Sequence, residues 1–221
     1  MKKNIELFIV LIAVALPFCS CKKETAAAPV QQKNYTAVIS DKTWWGTLTN
    51  AGETAQYFSV HFNADNTLSW SQLSDDYAGR WTVDNKKLTL TFTNPAVVIT
   101  GEITDDNKLT NITSSTANKV NTAELLAEPN MPLEGSVWLG TRIAQVGKPT
   151  DVMQLTFLPG DKVEIKINNV FYAAPSHFYS RPASGGCFRI KYLKYFGVIL
   201  SPGEMKGCEL TYDRPWQARK Q

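Results

Sequence analysis

Apolar and polar side chains alternate with period two through most of the chain beyond residue 40. In "YFSVHF" (57–62), Phe58, Val60 and Phe62 take one face while Ser59 and His61 take the other; in "LTLTF" (88–92), Leu88, Leu90 and Phe92 oppose Thr89 and Thr91. This is the pattern of a strand with one buried face. Between such runs stand "NADN" (63–66), "DNKK" (84–87), "NP" (94–95) and "DDNK" (105–108), whose residues favour tight turns. Short strands at this spacing predict an all-β fold of antiparallel meanders, forming small barrels or sandwiches and not strand–helix–strand units. One segment departs from the rule. "NTAELLAEP" (121–129) offers a capping residue at Asn121 or Thr122, helix-forming residues and a closing Pro129, and predicts a short connecting helix.

The strand pattern occurs twice. Trp44-x-Gly46-Thr47 is matched by Trp138-x-Gly140-Thr141, 94 positions later. "YFSVHFNADNTLSW" (57–70) then falls on "VMQLTFLPGDKVEI" (152–165), with Phe62 over Phe157 and Leu68 over Val163, and Tyr77 falls on Tyr172. Past an insertion at "SRPASGG" (180–186), "LTLTF" matches "FRIKY" (188–192), "VVI" (97–99) matches "GVI" (197–199), and "LTNI" (109–112) matches "LTYD" (210–213). A slowly growing offset is what lengthening loops between conserved-length strands produce, and it predicts a duplicated unit of roughly 80 residues with about seven strands. The predicted organisation is a first β unit over 41–116, a linker with the short helix over 117–134, and a second β unit over 135–216.

The first 40 residues follow a different logic. Lys2 and Lys3 precede an apolar run over 7–18, and Ser20 stands before Cys21, the layout of a secretory signal peptide over 1–20. Twelve apolar residues are too few for a bilayer core of ~30 Å, which takes about 20 helical residues. Residues 22–40, rich in Ala, Thr, Gln and Lys, carry no apolar period and predict a flexible tether reaching from Cys21 to the first unit. A Cys19-x-Cys21 metal site lacks a nearby cysteine or histidine to complete a tetrahedral set.

Two resemblances attach to these residues. The segment ending in "SCKKE" (20–24) resembles a Bacteroidota-type envelope lipoprotein signal, although Phe18 stands where such signals usually carry leucine. That resemblance implies cleavage before Cys21, loss of Cys19 with the leader, lipidation (palmitate) of Cys21, and a stable membrane anchor in the cell envelope, since more than one acyl chain is needed for lasting attachment. The strand-rich units opening on Trp and Gly-Thr resemble lipocalin-like domains, spanning 43–213. This implies tandem lipocalin-like β-barrels that hold a small molecule in the barrel mouth, although eight strands also give an interior that side chains can fill.

Charge and chemistry narrow the task. The formal net charge of +3 falls to +2 when Lys2, Lys3 and Glu6 leave with the leader, and no basic stripe marks a nucleic-acid binder. Apart from the acylated Cys21, only Cys187 and Cys208 remain beyond the leader, an even pair that in an exported protein predicts a disulfide worth ~3 kcal/mol. If they begin strands that flank a third, two spacings of ~4.8 Å exceed the ~7 Å reach of a cystine, and the bond needs bent loops. Nucleophile-elbow, zinc-protease and phosphate-loop motifs are missing from the sequence, so the reading is non-enzymatic, with no cofactor and no metal. His61 reads as a solvent-facing strand position, and His177 with Cys187 as a nucleophilic pair only if the thiol is free. Asp75-Asp76 and Asp105-Asp106 lack the calcium-loop pattern and read as turn residues.

Aromatic residues carry the functional expectation. Trp44 and Trp45 are strand neighbours, so one enters the core and the other faces out. Trp70 and Trp81 read as core. The outward tryptophan with Tyr57, Tyr77 or Tyr172 offers a platform for a sugar ring or an apolar ligand, against the plainer reading of a barrel plug or an interdomain contact. Phe188, Ile190 and Tyr192 share a face, and Arg189, Lys191 and Lys194 form a solvent-side basic patch. The sequence therefore predicts an outer-membrane-anchored lipoprotein, on the periplasmic or surface face, that binds a carbohydrate or apolar small molecule. The alternative is an accessory subunit of an envelope protein complex, or a hydrolase inhibitor, using its outer sheet face and the insertion at 173–187.

Overall fold

The structure, a computed structural model, describes residues 33–49, 55–73, 75–127, 129–143, 150–209 and 214–221, apart from the side chains of 173–176. The leader, Cys21 and most of the tether lie outside the described residues. Among the described residues no helix is long and apolar enough to cross a membrane.

Eight antiparallel strands close into a barrel: β1 (Lys42–Thr49), β2 (Gln56–Phe62), β3 (Thr67–Gln72), β4 (Asp76–Asp84), β5 (Lys87–Thr93), β6 (Ala96–Ile103), β7 (Lys108–Ser114) and β8 (Lys119–Leu125). Each pairs with its sequence neighbour, and β8 returns to β1. Eight more strands follow: β9 (Val137–Ile143), β10 (Thr150–Leu158), β11 (Lys162–Ile167), β12 (Val170–Phe178), β13 (Cys187–Ile190), β14 (Tyr195–Ser201), β15 (Glu204–Glu209) and β16 (Arg214–Lys220). Their order, β12-β11-β10-β9-β16-β15-β14-β13, is the same meander opened between its fourth and fifth strands. The duplication read from the sequence is thus present as two antiparallel units of related strand order, one a closed barrel and one a curled half-barrel. The break falls beside the 180–186 insertion, where a single bridge, Ser180 to Arg189, links the two flanks.

The shared Trp-x-Gly-Thr motif has a physical explanation. Trp44 and Trp138 are buried, at 1% and 0% exposure, and anchor the two cores. Two residues on, Gly46 pairs with Ala123 of β8, and Gly140 pairs with Ala218 of β16. A Cβ on Gly46 would lie 2.0 Å from the Thr122 carbonyl oxygen, and one on Gly140 1.8 Å from the Gln217 carbonyl oxygen. Only glycine lets the last strand approach the first this closely.

Several expectations require correction. Residues 119–125 form the closing strand β8 and not a connecting helix, so the first unit has eight strands and runs past 116. Pairing with β1 and β7 satisfies the backbone of this segment and buries Val120 and Ala123, which outweighs its helix-forming composition. The end of the predicted tether is ordered: α1 (Tyr35–Ile39) is capped by Asn34, whose side-chain oxygen accepts from the Ala37 amide at 3.2 Å. Tyr35 and Ile39, four residues apart on one helix face, are buried in the barrel core. The counterpart of β7 is β15, whereas "LTYD" (210–213) lies outside the described residues. The second unit extends through Lys220.

Aromatic packing fills the lower barrel. Trp44 meets Phe62 edge-on at 6.5 Å, and Phe62 meets Trp81 edge-on at 5.9 Å. In the second unit Met131 and Leu133 precede β9 as α1 precedes β1, and both join the half-barrel core. Arg181 of the insertion braces that segment, donating to the Met131 and Pro129 carbonyls at 2.8 and 3.1 Å.

The units pack through the outer faces of β1–β2 and β13–β15. Strand β13 is buried on both faces, although Phe188, Arg189 and Ile190 alternate apolar and polar in the sequence. Cys187, Phe196, Val198 and Cys208 form the contact layer, with Leu73, Leu126, Trp45 and Tyr57. The insertion adds polar pins: Ser59 donates to the Gly185 carbonyl at 2.6 Å, and Thr43 to the Ser184 carbonyl at 3.3 Å. Gly185 and Gly186 both have positive φ, 68° and 64°, which lets the chain turn into this contact.

Candidate functional site

The two ends of the barrel differ. At the floor, α1 seals the interior, and Tyr35 donates to Asp105 at 2.6 Å while Lys86 lies 3.7 Å from the same carboxylate. At the opposite end β3, β5 and β7 finish and β4, β6 and β8 begin, leaving a small mouth of about 100 Å³ open to solvent. Alternation makes its walls apolar: Leu48, Phe92, Val97 and Ile99 project inward because each shares parity with the core residues of its strand, and Val120, out of step with Ala123, is turned inward by the bulge in the β1–β8 pairing. Trp70 forms the base. It is 5% exposed, lies stacked on Phe58 at 3.9 Å, receives Phe92 edge-on at 5.9 Å, and donates its indole N–H to Gln72 at 3.2 Å. Polar groups stand around the opening, chiefly Gln72, Tyr77, Ser114, Thr116 and Asn118. None of the lining residues carries a formal charge at neutral pH. Burial, and next the Asp75 carboxylate, raises the pKa of Tyr77, keeping its hydroxyl neutral. The mouth suits a small uncharged body with one polar end.

The same end of the second unit is built from different residues. Arg142 is 4% exposed and Glu209 is fully buried. Arg142 donates to Glu209 at 2.7 Å, to Asp151 at 2.8 Å and to the Tyr195 hydroxyl at 3.1 Å. Tyr195 and Tyr172 donate to Glu209 at 2.9 and 2.7 Å, and Asn168 donates to Asp151 at 2.9 Å. The guanidinium also lies over the Tyr172 ring, 5.0 Å from its centre. Burial, together with the Glu209 carboxylate that accepts its proton, pushes the Tyr172 hydroxyl up to about 12. Burial and Glu209 likewise raise Tyr195. Burial opposes the charge on Arg142, but the Asp151 hydrogen bond and its other partners overcome this and raise its pKa. Protein groups occupy the space that the first unit leaves open.

No protein-family model, curated protein or solved structure matches the chain.

The five aromatic candidates fall in different places. Trp44 is core, and Trp45 stacks on Tyr57 at 6.4 Å within the contact between the units. Tyr77 is at the open mouth, and Tyr172 belongs to the Arg142 network. Trp70 and Trp81 are core as expected, with Trp70 also forming the base of the mouth.

Cys187 and Cys208 are not joined to each other in the structure, in place of the expected disulfide. They lie on β13 and β15, on either side of β14, opposite Val198 and Phe196 respectively. Two strand spacings therefore separate them, beyond the reach of a cystine. Burial pushes the Cys187 thiol up to about 11. His177 rests on the Tyr192 ring at 5.3 Å, while His61 contacts Thr43 at 3.0 Å and so is half-buried instead of solvent-facing.

The predicted basic patch loses its first member. Arg189 is 8% exposed and grips the first barrel, whereas Lys191 and Lys194 are exposed. Tyr192 does not share the buried face of Phe188 and Ile190; it is 84% exposed in the following turn. Sequence reasoning missed Arg142 and Glu209. The available signal was parity: Arg142 falls in step with inward Trp138 and Gly140, and Glu209 with Met205 and Gly207.

Proposed function

We propose that the protein is an envelope lipoprotein, anchored through a lipidated Cys21, that binds a small uncharged apolar molecule in the mouth of its first barrel. The observation that carries this reading is the open, charge-free mouth over Trp70, set in a barrel otherwise filled by its own side chains. Apolar walls gain roughly 25 cal/mol for each Å² of ligand surface they remove from water. The rim amides and hydroxyls orient a polar end group. An apolar body is favoured over a sugar ring because Phe58 covers one face of Trp70.

The test uses the neutral dye N-phenyl-1-naphthylamine as probe. Saturable binding with one site per chain is the expected result, weakened at least tenfold by Val97→Glu, which places a charge on the wall. Val152→Glu, at a surface position 55% exposed in the second unit, should leave binding intact. Equal binding by the Val97→Glu variant, or none by the unmodified protein, would sink the proposal. Incorporation of labelled palmitate that disappears in Cys21→Ser tests the anchor.

A second reading, a docking surface for an envelope protein partner, draws on β12. Among the described residues this strand has no partner on its outer edge, and it exposes Val170, Phe171 and Phe178, with Tyr192 nearby in the β13–β14 turn. The 180–186 insertion is committed to the contact between the units, so β12 is the part of the predicted 173–187 surface that stays open. A photocrosslinker at Phe178 that captures one defined partner in cells would favour this reading, and its failure to capture any would remove it.

A further inference from the structure

One residue of the second unit reaches the rim of the mouth. Arg189 projects from the outward face of β13 and meets the β3–β4 hairpin, 113 residues earlier in the chain. Its two terminal nitrogens bind the Asp76 carboxylate in a bidentate fork, at 3.1 and 2.9 Å. One of them also donates to the main-chain carbonyls of Gln72 and Asp75, at 2.5 and 3.1 Å. These acceptors bracket the hairpin turn, which the Gln72 amide closes by donating to the Asp75 carbonyl at 3.0 Å.

The same hairpin shapes the lip of the mouth. The Gln72 side chain accepts from Trp70 at the base, and Tyr77 donates to the Asp75 carboxylate at 3.3 Å. Gln72 and Tyr77 both line the opening. A planar guanidinium suits this task because it can hold a carboxylate with two parallel bonds while a further N–H meets carbonyl oxygens. A lysine ammonium keeps the charge without the fork. Partial burial pushes the pKa of Asp76 upward, but the hydrogen bonds and charge of Arg189 lower it further, so the carboxylate stays ionised and the fork stays engaged.

We infer that Arg189 is a positioning residue for the mouth of the first barrel, through which the second unit fixes the lip formed by Gln72 and Tyr77. This rests on the ligand reading given above. The second unit then serves the first as a brace, and the affinity of the mouth depends on a residue that touches no ligand.

The experiment measures N-phenyl-1-naphthylamine affinity in Arg189→Gln, Arg189→Lys and Asp76→Asn, with amide hydrogen exchange of residues 72–77 as a second readout. Arg189→Gln should weaken the dye about tenfold and speed exchange in the hairpin, while the facing strand β2 keeps its protection. Arg189→Lys should fall between that variant and the unmodified protein. Asp76 is exposed enough to be replaced without threatening the fold, and Asp76→Asn should weaken binding about threefold, so the inference stays open to test if Arg189→Gln does not fold. Unchanged affinity and exchange in these variants, with dye still bound by the unmodified protein, would overturn the inference and leave the mouth reading standing. A dye that does not bind the unmodified protein removes both.

Discussion

Leu48 of β1 sits opposite Val120 of β8, and at the matching place in the second unit Arg142 of β9 sits opposite Trp216 of β16. The surrounding scaffold is shared: the same strand order, the same buried tryptophan two turns of the pleat away, the same glycine facing an alanine. The contrast lies in what each unit places at that end. Leucine and valine leave an apolar opening with no internal partner. Arginine brings in two carboxylates and two tyrosine hydroxyls and closes the space with protein. A duplicated module thereby divides its work, one copy keeping a cavity and the other becoming a brace that is opened at its edge.

The contrast breaks most severely if the buried network is dismantled. Arg142→Leu strands Glu209, which has no solvent access, and should cost about 3–5 kcal/mol in chemical denaturation. A loss under ~1 kcal/mol would mean that the second unit, like the first, tolerates an apolar end. The shared part of the scaffold makes the opposite prediction. Gly46→Ala and Gly140→Ala each force a methyl group against the closing strand and should each cost about 1–3 kcal/mol. Clearly unequal costs would mean that the two closures are not physically equivalent.

Acid should distinguish the ends most gently. A hydrogen bond from Arg142, aided by Asn168, holds Asp151 below the usual carboxylate range. A carboxylate depressed in the folded state contributes stability that is fully present above its unfolded value of ~3.9 and is lost as pH falls through the folded value. Urea midpoints measured from about pH 6 down to about pH 2 should therefore fall less steeply in Asp151→Asn than in the unmodified protein. Parallel curves would show that Asp151 adds nothing to the acid response.

Much of this architecture is legible in the residues because a strand with one wet face writes its own pattern. Phe58, Val60 and Phe62 announce β2, and the spacing of Trp44 and Trp138 announces the repeat. The sequence misleads where long-range pairing decides. Ala123, Glu124 and Leu125 have helical preference, yet they close a barrel against a strand some 75 residues earlier. In Tyr35 and Ile39 the segment assigned to the tether contains a plug, hidden because five residues are too short to display a helical period. The mouth is half visible: Tyr77 stands out as a candidate, but alternation places Trp70 in the core alone, since its access to the mouth depends on where the neighbouring strands end. Arg142, Asp151 and Glu209 are far apart in sequence, and no local pattern says that barrel closure will gather them.

The fork between Arg189 and the β3–β4 hairpin also orders events in time. As the chain emerges from a ribosome or a translocation channel, the first barrel can close once β8 is free, but its lip is not set until β13 arrives. A truncated chain ending shortly after β8 should therefore give a folded barrel with a loose rim. If the mouth binds a ligand as proposed, a maturing polypeptide would hold it only weakly until its second half has docked.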